Sequence, residues 1–401
     1  MSGGRRRRGG TPVGRRLLAV LAGVAWLSGC GTNLAVLPGS NGTPDGGDVL
    51  DGNRDDSVTS TLGKTVGEPN GTFSDAVVAV LEPDGVFRLQ GTVGVVGDLD
   101  VYRLGAMAPG DRLQVDTTTP GSPLDVSIAL FDAEERLVAA NDDRIPQNLD
   151  AYVELITRHA GEPYYLVVTH SAFAPSGAFQ GSYAIDLTVT RGMEVPDPVG
   201  QVLLLEFDGG SINSPTLGSV TIRPFDAERI SPVYAGQTDR LKTLIRREVE
   251  QNYQRFDVTI VTSDDPAPPA GVEFSTVFFG GFNPSAFGIS ESVDLYNADF
   301  CDDAIIYAET FAPSIFSGVP TTAELAVAIA NVAAHEAGHL LGLNHVSDDR
   351  DLMDDRSPAD AFIEDQEFME SPLSSDIMLI GTQDGVVLLN EIVGPVAPGT
   401  P

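Results

Sequence analysis

Cysteine is almost absent from this 401-residue chain, with only Cys30 and Cys301 present, so no disulfide framework holds it together. Basic side chains are also scarce: 24 Lys and Arg stand against 57 Asp and Glu. That imbalance removes nucleic acid from the expected partners, because neutralising phosphates takes a basic face. Long apolar runs are missing too. The N-terminal stretch LLAVLAGVAWL is too short to span a bilayer as a stable helix. Histidine occurs five times, and three of the five fall within eleven residues, HEAGHLLGLNH from His335 to His345.

A hydrophobic content of 42% is that of a folding chain, and the length predicts two domains plus tails. The arginine-rich start followed by the short apolar run predicts a signal peptide over residues 1–29. The run ends in Leu27-Ser-Gly-Cys30, which resembles the lipobox of bacterial lipoproteins. The resemblance implies a lipid on Cys30, export, and a membrane-anchored place in the cell envelope; a plain secretory signal and full secretion are the alternative. Cleavage there removes six arginines and leaves 18 basic side chains against 57 acidic ones, so the basic charge belongs to the export signal. Cys301 would then be a lone thiol. Residues 30–65, rich in Gly, Asp, Asn, Ser and Thr, have no apolar period and read as a flexible tether. Residues 395–401 read as a loose tail.

Between 66 and 192 short alternating segments recur, among them VFRLQGTV, DVSIALFD and YAIDLTVT, with Gly, Pro, Asp or Asn between them. This spacing predicts an antiparallel β-sandwich or barrel. The motifs Glu68-Pro-Asn70, Asp98-Leu-Asp100-Val-Tyr102, Leu124-Asp125, Ala140-Asn-Asp-Asp143 and Gly181-Ser-Tyr183 resemble, in order and spacing, the bacterial pre-peptidase C-terminal domain. That family is a jelly-roll-like β-sandwich attached to secreted peptidases, and some members bind Ca²⁺. The resemblance implies Glu68, Asn70, Asp98 and Asp100 as calcium ligands, since hard cations take oxygen donors. The other reading has the same residues capping turns.

After a proline-rich junction at Glu194–Gly200 the pattern turns to mixed α and β, over about 199–394. Leu241, Leu244, Ile245 and Val249 mark one face of a helix. Strands are expected at QVLLLEFDGG, FDVTIVTSD, VEFSTVFFGG, FGISESVD and DDAIIYAETF. A second long helix starts at Thr321-Thr-Ala-Glu324, a capping-box spacing. On that helix His335 and His339, four apart, present two imidazoles to one point. Neutral imidazole suits Zn²⁺, and three ligands with an open position mark a catalytic zinc. Gly342 permits a sharp exit that returns His345 as third ligand. Glu336 stands beside them as general base.

HExxHxxGxxH resembles the signature of the metzincin clan of zinc peptidases. The clan also needs a methionine turn, and Met353, eight residues after His345, lies at a matrixin-like spacing; Met378 is the less well placed alternative. The resemblance implies an α+β zincin domain, a zinc-dependent endopeptidase hydrolysing protein or peptide substrates, an edge strand near Gly288–Val293 that aligns them, and a substrate-pocket loop at IGTQDGVVLL. Asp348–Asp355 and Asp299–Asp303 read as solvated acidic loops or calcium sites. The competing function is a surface-binding protein whose zinc site is latent or non-catalytic.

Overall fold

The computed structural model describes residues 58–60, 64–66, 68–145, 148–266, 268 and 271–397. The expected signal peptide, Cys30, most of the tether and the last residues of the tail lie outside the described residues. The tether's end differs from expectation. Val58–Ser60 (β1) pairs antiparallel with Lys64–Val66 (β2), since Val58, Thr59, Thr65 and Val66 are good strand formers. The tail's start is also paired, with Pro395 bridging Phe256 and the Val396 amide donating to Arg255.

Strands dominate the N-terminal part. They are β3 (Val77–Val78), β4 (Val86–Val93), β5 (Asp100–Met107), β6 (Arg112–Thr118), β7 (Val126–Phe131), β8 (Leu137–Asn141), β9 (Tyr152–Ile156), β10 (Gly161–His170) and β11 (Gly181–Thr190). They form two sheets, in the orders β3-β5-β10-β7-β8 and β4-β11-β6-β9. Every pairing is antiparallel except β3 with β5. Between the sheets lies one apolar core that includes Phe87, Leu113, Ile128, Leu130 and Leu166. Strand β6 alternates buried and half-buried residues, as a strand with one wet face should. Strand β7 does not: all six residues are buried. Ile128 and Leu130 face the core between the sheets, while Ala129 and Phe131 face a second cluster containing Leu373, Ile377 and Met378 from the C-terminal part. The central sheet is therefore covered on both sides.

The C-terminal part surrounds a five-stranded sheet built from β12 (Gln201–Glu206), β15 (Val258–Thr262), β16 (Ser275–Phe279), β17 (Gly288–Ser290) and β18 (Asp303–Ile306). Its order is β15-β12-β16-β18-β17, with only the edge strand β17 antiparallel to its neighbour. Alternate residues such as Leu203, Val277, Phe279 and Ile306 share one core with two helices, α2 (Thr238–Tyr253) and α3 (Thr322–Leu340). On the other face, Phe278 and Ile305 pack on Ile212 and Ile222 of a hairpin, β13 (Gly210–Ser214) with β14 (Gly218–Ile222), which the sequence pattern did not reveal. A short helix, α1 (Ala227–Ile230), follows that hairpin. IGTQDGVVLL is not a loop. Thr382–Asp384 forms β20, paired with β19 (Glu370–Pro372), and Asp384 then caps α4 (Gly385–Ile392) by accepting from the Val386 and Val387 amides.

Helix α2 buries Leu241, Ile245, Val249 and Tyr253 at i, i+4, i+8 and i+12, a single stripe against α3 and the sheet. The Tyr253 hydroxyl donates to the Ala334 carbonyl at 2.8 Å, tying the two helices at the residue before His335. Helix α3 begins with the capping box: the Glu324 amide donates to Thr321 Oγ1, and the Thr321 amide to the Glu324 carboxylate. From Leu325 to Leu340 only one residue of α3 is not fully buried, so packing holds this helix in place more than propensity does.

Ile245→Ala, which hollows the contact of α2 with α3, should cost about 2–5 kcal/mol. Val233→Ala at an exposed position should stay within about 0.5 kcal/mol. Denaturant unfolding of both variants measures the difference.

Candidate metal centre

His335 and His339 lie on the last turns of α3, and their Nε2 atoms approach to 3.1 Å. After Leu341 the chain turns at Gly342, whose φ is +91°. A Cβ there would also come within 2.8 Å of the Asp294 carbonyl, so the turn needs glycine twice over. The turn returns His345, and its Nε2 stands 3.1 Å from that of His339. All three imidazoles are buried.

Their outer nitrogens are all engaged. His335 Nδ1 donates to the Leu352 carbonyl at 2.7 Å, His339 Nδ1 to the Leu343 carbonyl at 2.7 Å, and His345 Nδ1 to Asp376 Oδ2 at 3.3 Å. Carbonyls and carboxylates only accept, so each Nδ1 carries a proton, and in a neutral ring the Nε2 then presents a lone pair. Burial depresses His335 to about 3, with the neighbouring His345 adding to the effect, and pushes His339 well below its ordinary value. These two rings are therefore neutral. The three Nε2 atoms converge on one point, where a cation would be held by their lone pairs. Two nitrogens about 2.0–2.1 Å from one tetrahedral zinc lie about 3.3–3.4 Å apart, close to the observed spacing. The donor set fits zinc.

Met353 is buried under this cluster in the turn after Leu352. A Cβ on Gly338 would come within 2.6 Å of its sulfur, so the thioether packs directly against α3 between the two helical ligands. The turn is held by the Val346 amide on the Met353 carbonyl and by the Met353 amide on Asp351 Oδ1. Met378 packs instead against the sandwich.

Glu336 is buried beside the ligands and faces the edge strand. Burial pushes its carboxyl up to about 8, while hydrogen bonds from the Ser290 hydroxyl and amide act in the opposite direction. Gly288 lies over it, and a Cβ at that position would come within 2.5 Å of Glu336 Oε1. The sequence reading placed Gly288 and Ser290 on an edge strand but missed their contact with Glu336. The only signal was the position of FGIS ahead of the helix, which gives no clue that it meets Glu336.

Glu68, Asn70, Asp98 and Asp100 form a different kind of network. Both Asp100 oxygens are engaged, one by Asn70 Nδ2 at 2.7 Å and one by the Tyr183 hydroxyl. Asp98 Oδ2 accepts from the Gly94 amide, and Glu68 Oε2 from the Asn70 amide. Burial raises the Asp100 carboxyl to about 6. Among the described residues, three or more Asp, Glu, His or Cys converge in only two places, His335/His339/His345 and His345/Asp355/Asp376. Calcium at the four sandwich residues is unsupported; they serve turns and the core. Of the remaining histidines, His159 is exposed and pairs with Glu391, while His170 accepts from the Gly97 amide at 3.0 Å.

Residues 242–364 match the family model of the matrixins, a span that holds the three histidines, Glu336 and Met353. This part of the chain is matrixin-like, and the match supports a zinc metallopeptidase type of function acting on proteins or peptides. No curated protein matches the chain. Among solved structures, a periplasmic inhibitor of g-type lysozyme from Aeromonas hydrophila is 12% identical, with a TM-score of 0.23, covering 29% of this chain and 96% of that one. The pre-peptidase C-terminal domain of a collagenase from Bacillus anthracis is also 12% identical, with a TM-score of 0.18, covering 25% and 87%. A family two carbohydrate esterase from Cellvibrio japonicus is 13% identical, with a TM-score of 0.16, covering 57% and 51%. Scores this low carry no conclusion about function.

Gly288→Ala should displace the Glu336 carboxylate and lower any hydrolytic rate about 100-fold, while zinc content stays at the parent's level. Metal analysis beside peptide turnover separates the two effects.

Proposed function

We propose that this protein is an exported zinc endopeptidase, lipid-anchored through Cys30, with His335, His339 and His345 as zinc ligands and Glu336 as general base. The observation that carries the reading is the convergence of three Nε2 lone pairs next to a buried carboxylate, at the edge of a sheet. A bound zinc ion supplies Lewis acidity, polarising a carbonyl and acidifying water. Glu336 takes the proton from the attacking water and delivers it to the leaving nitrogen. Its burial and its contact with Gly288 and Ser290 hold the carboxylate to one orientation. Among the described residues strand β17 has a neighbour on one side only, β18, so its other edge can pair with an extended substrate backbone. Helix α3, anchored by its capping box and buried along its length, keeps two ligands rigid, and Met353 supports them from below.

The export signal and the LSGC lipobox support placement in the cell envelope. We divide the chain into a signal peptide (1–29), a tether (30–65), a sandwich (66–192) and a peptidase domain (199–394) followed by a short tail. The Met353 turn takes the part that the clan resemblance assigns to a methionine. A binding protein with a latent zinc site is the competing reading, and the retained Glu336 speaks against it, since a structural zinc has no use for a base.

Glu336→Gln should keep stoichiometric zinc and lose about 100- to 10,000-fold in peptide-library cleavage. Chelation of the parent should abolish cleavage, and added zinc should restore it. A zinc-loaded parent that leaves the whole library intact would favour the latent reading.

A further inference from the structure

Two of the three candidate ligands are oriented by backbone close to them. His335 and His339 donate to the Leu352 and Leu343 carbonyls, in segments that pack directly on α3. His345 is different. It sits on a loop, and its Nδ1 donates to a side chain, Asp376, from a later stretch of chain. We propose that Asp376 is the positioning residue for His345, and that the β-sandwich holds Asp376 in place. This inference rests on the metal-holding half of the function proposed above and not on turnover.

The stretch from Leu373 to Gly381 has no regular strand or helix. It is tied to the ligand loop by the Ser374 amide on the His345 carbonyl, and it closes on itself through the Leu373 amide on the Gly381 carbonyl. The Ile377 and Met378 amides both bond the Ser374 carbonyl, a tight turn that carries Asp376 at its bend. On the outer side of this turn, Leu373, Ile377 and Met378 bury themselves against Val101, Phe131 and Val167 of the sandwich. Gly381 has a φ of +88°, and a Cβ there would collide with the Phe131 ring. The Thr382 amide then donates to the Glu135 carbonyl of the sandwich. A short irregular segment cannot hold one rotamer by itself, because its ordering entropy has few contacts to offset it. Here the missing contacts come from the sandwich.

Asp376 can do two things for His345. Its carboxylate accepts the Nδ1 proton, which leaves the Nε2 lone pair aimed at the other two histidines. Its negative charge also makes the imidazole a stronger donor. Asp355 stands next to it, with Ser374 Oγ donating to Asp355 Oδ2 at 2.9 Å. The sandwich is thereby a structural part of the zinc site, reaching it through Phe131, the 373–381 turn and Asp376.

The test is zinc affinity of the full chain, purified in detergent, by competition with a chromogenic chelator. It is paired with the ligand-field spectrum of the cobalt(II) form and with apo-protein thermal unfolding. Asp376→Asn should weaken zinc binding about 10-fold and Asp376→Ala about 100-fold, with a changed cobalt spectrum and little change in apo unfolding. Phe131→Ala should weaken zinc binding as well, although it touches no ligand, and Phe131→Leu should recover most of the loss. Parent-like affinity and spectrum in both Asp376 variants would overturn the positioning role. Weak Asp376 variants beside a parent-like Phe131→Ala would overturn the part given to the sandwich. Two zinc ions per parent chain would overturn the proposal by making Asp376 and Asp355 ligands themselves. A parent that binds one zinc but cuts no peptide sinks the peptidase reading and leaves this one standing. A parent that takes up no zinc overturns both.

Discussion

Three imidazole nitrogens, each with its lone pair turned inward and its opposite nitrogen engaged, are the constraint around which the C-terminal part is arranged. Their mutual approach suits a cation at the point where they meet. Every element near them acts on their orientation: α3 sets two rings one turn apart, the Gly342 turn folds the third back, and the Leu352–Met353 turn closes the floor. Each of these needs the next. The 294–296 backbone lies so close to the turn that only glycine fits there, and that backbone continues from the edge strand over Glu336.

Burial has a particular role in this arrangement. Removing His335 and His339 from water keeps them neutral, which is the state that binds metal. The same burial drives the Glu336 carboxyl upward, toward the range where a base exchanges protons with water at ordinary pH. A bound cation would oppose that rise. One low-dielectric pocket therefore acts on both the imidazoles and the carboxyl.

The sandwich and the β/α part are not simply joined end to end. Strand β7 is buried on both faces because one face closes the sandwich and the other receives Leu373, Ile377 and Met378. An all-buried strand is unusual in an antiparallel sheet, where one face is commonly wet. The apolar residues of VSIALF at both parities reflect that double cover. Within the sandwich, Asp100, Tyr102 and Tyr183 form a buried polar network, with Tyr102 and Tyr183 hydroxyls 2.8 Å apart. Of the residues that a resemblance marked for calcium there, Asp100 joins this network and also accepts from Asn70 Nδ2.

What the sequence by itself determined is whatever depends on short range. The i, i+4 spacing of His335 and His339, the capping box at Thr321–Glu324, the apolar stripe of α2 and the alternation in the sandwich strands are all set within a few residues by backbone geometry. The need for glycine at 342 was legible for the same reason. Tertiary structure alone decided the rest: that Gly288 and Ser290 meet Glu336, that Asp376 meets His345, and that IGTQDGVVLL is strand and helix. These contacts join segments far apart in the chain, where no period relates the partners. They follow from which surfaces pack together, and packing is a property of the whole fold.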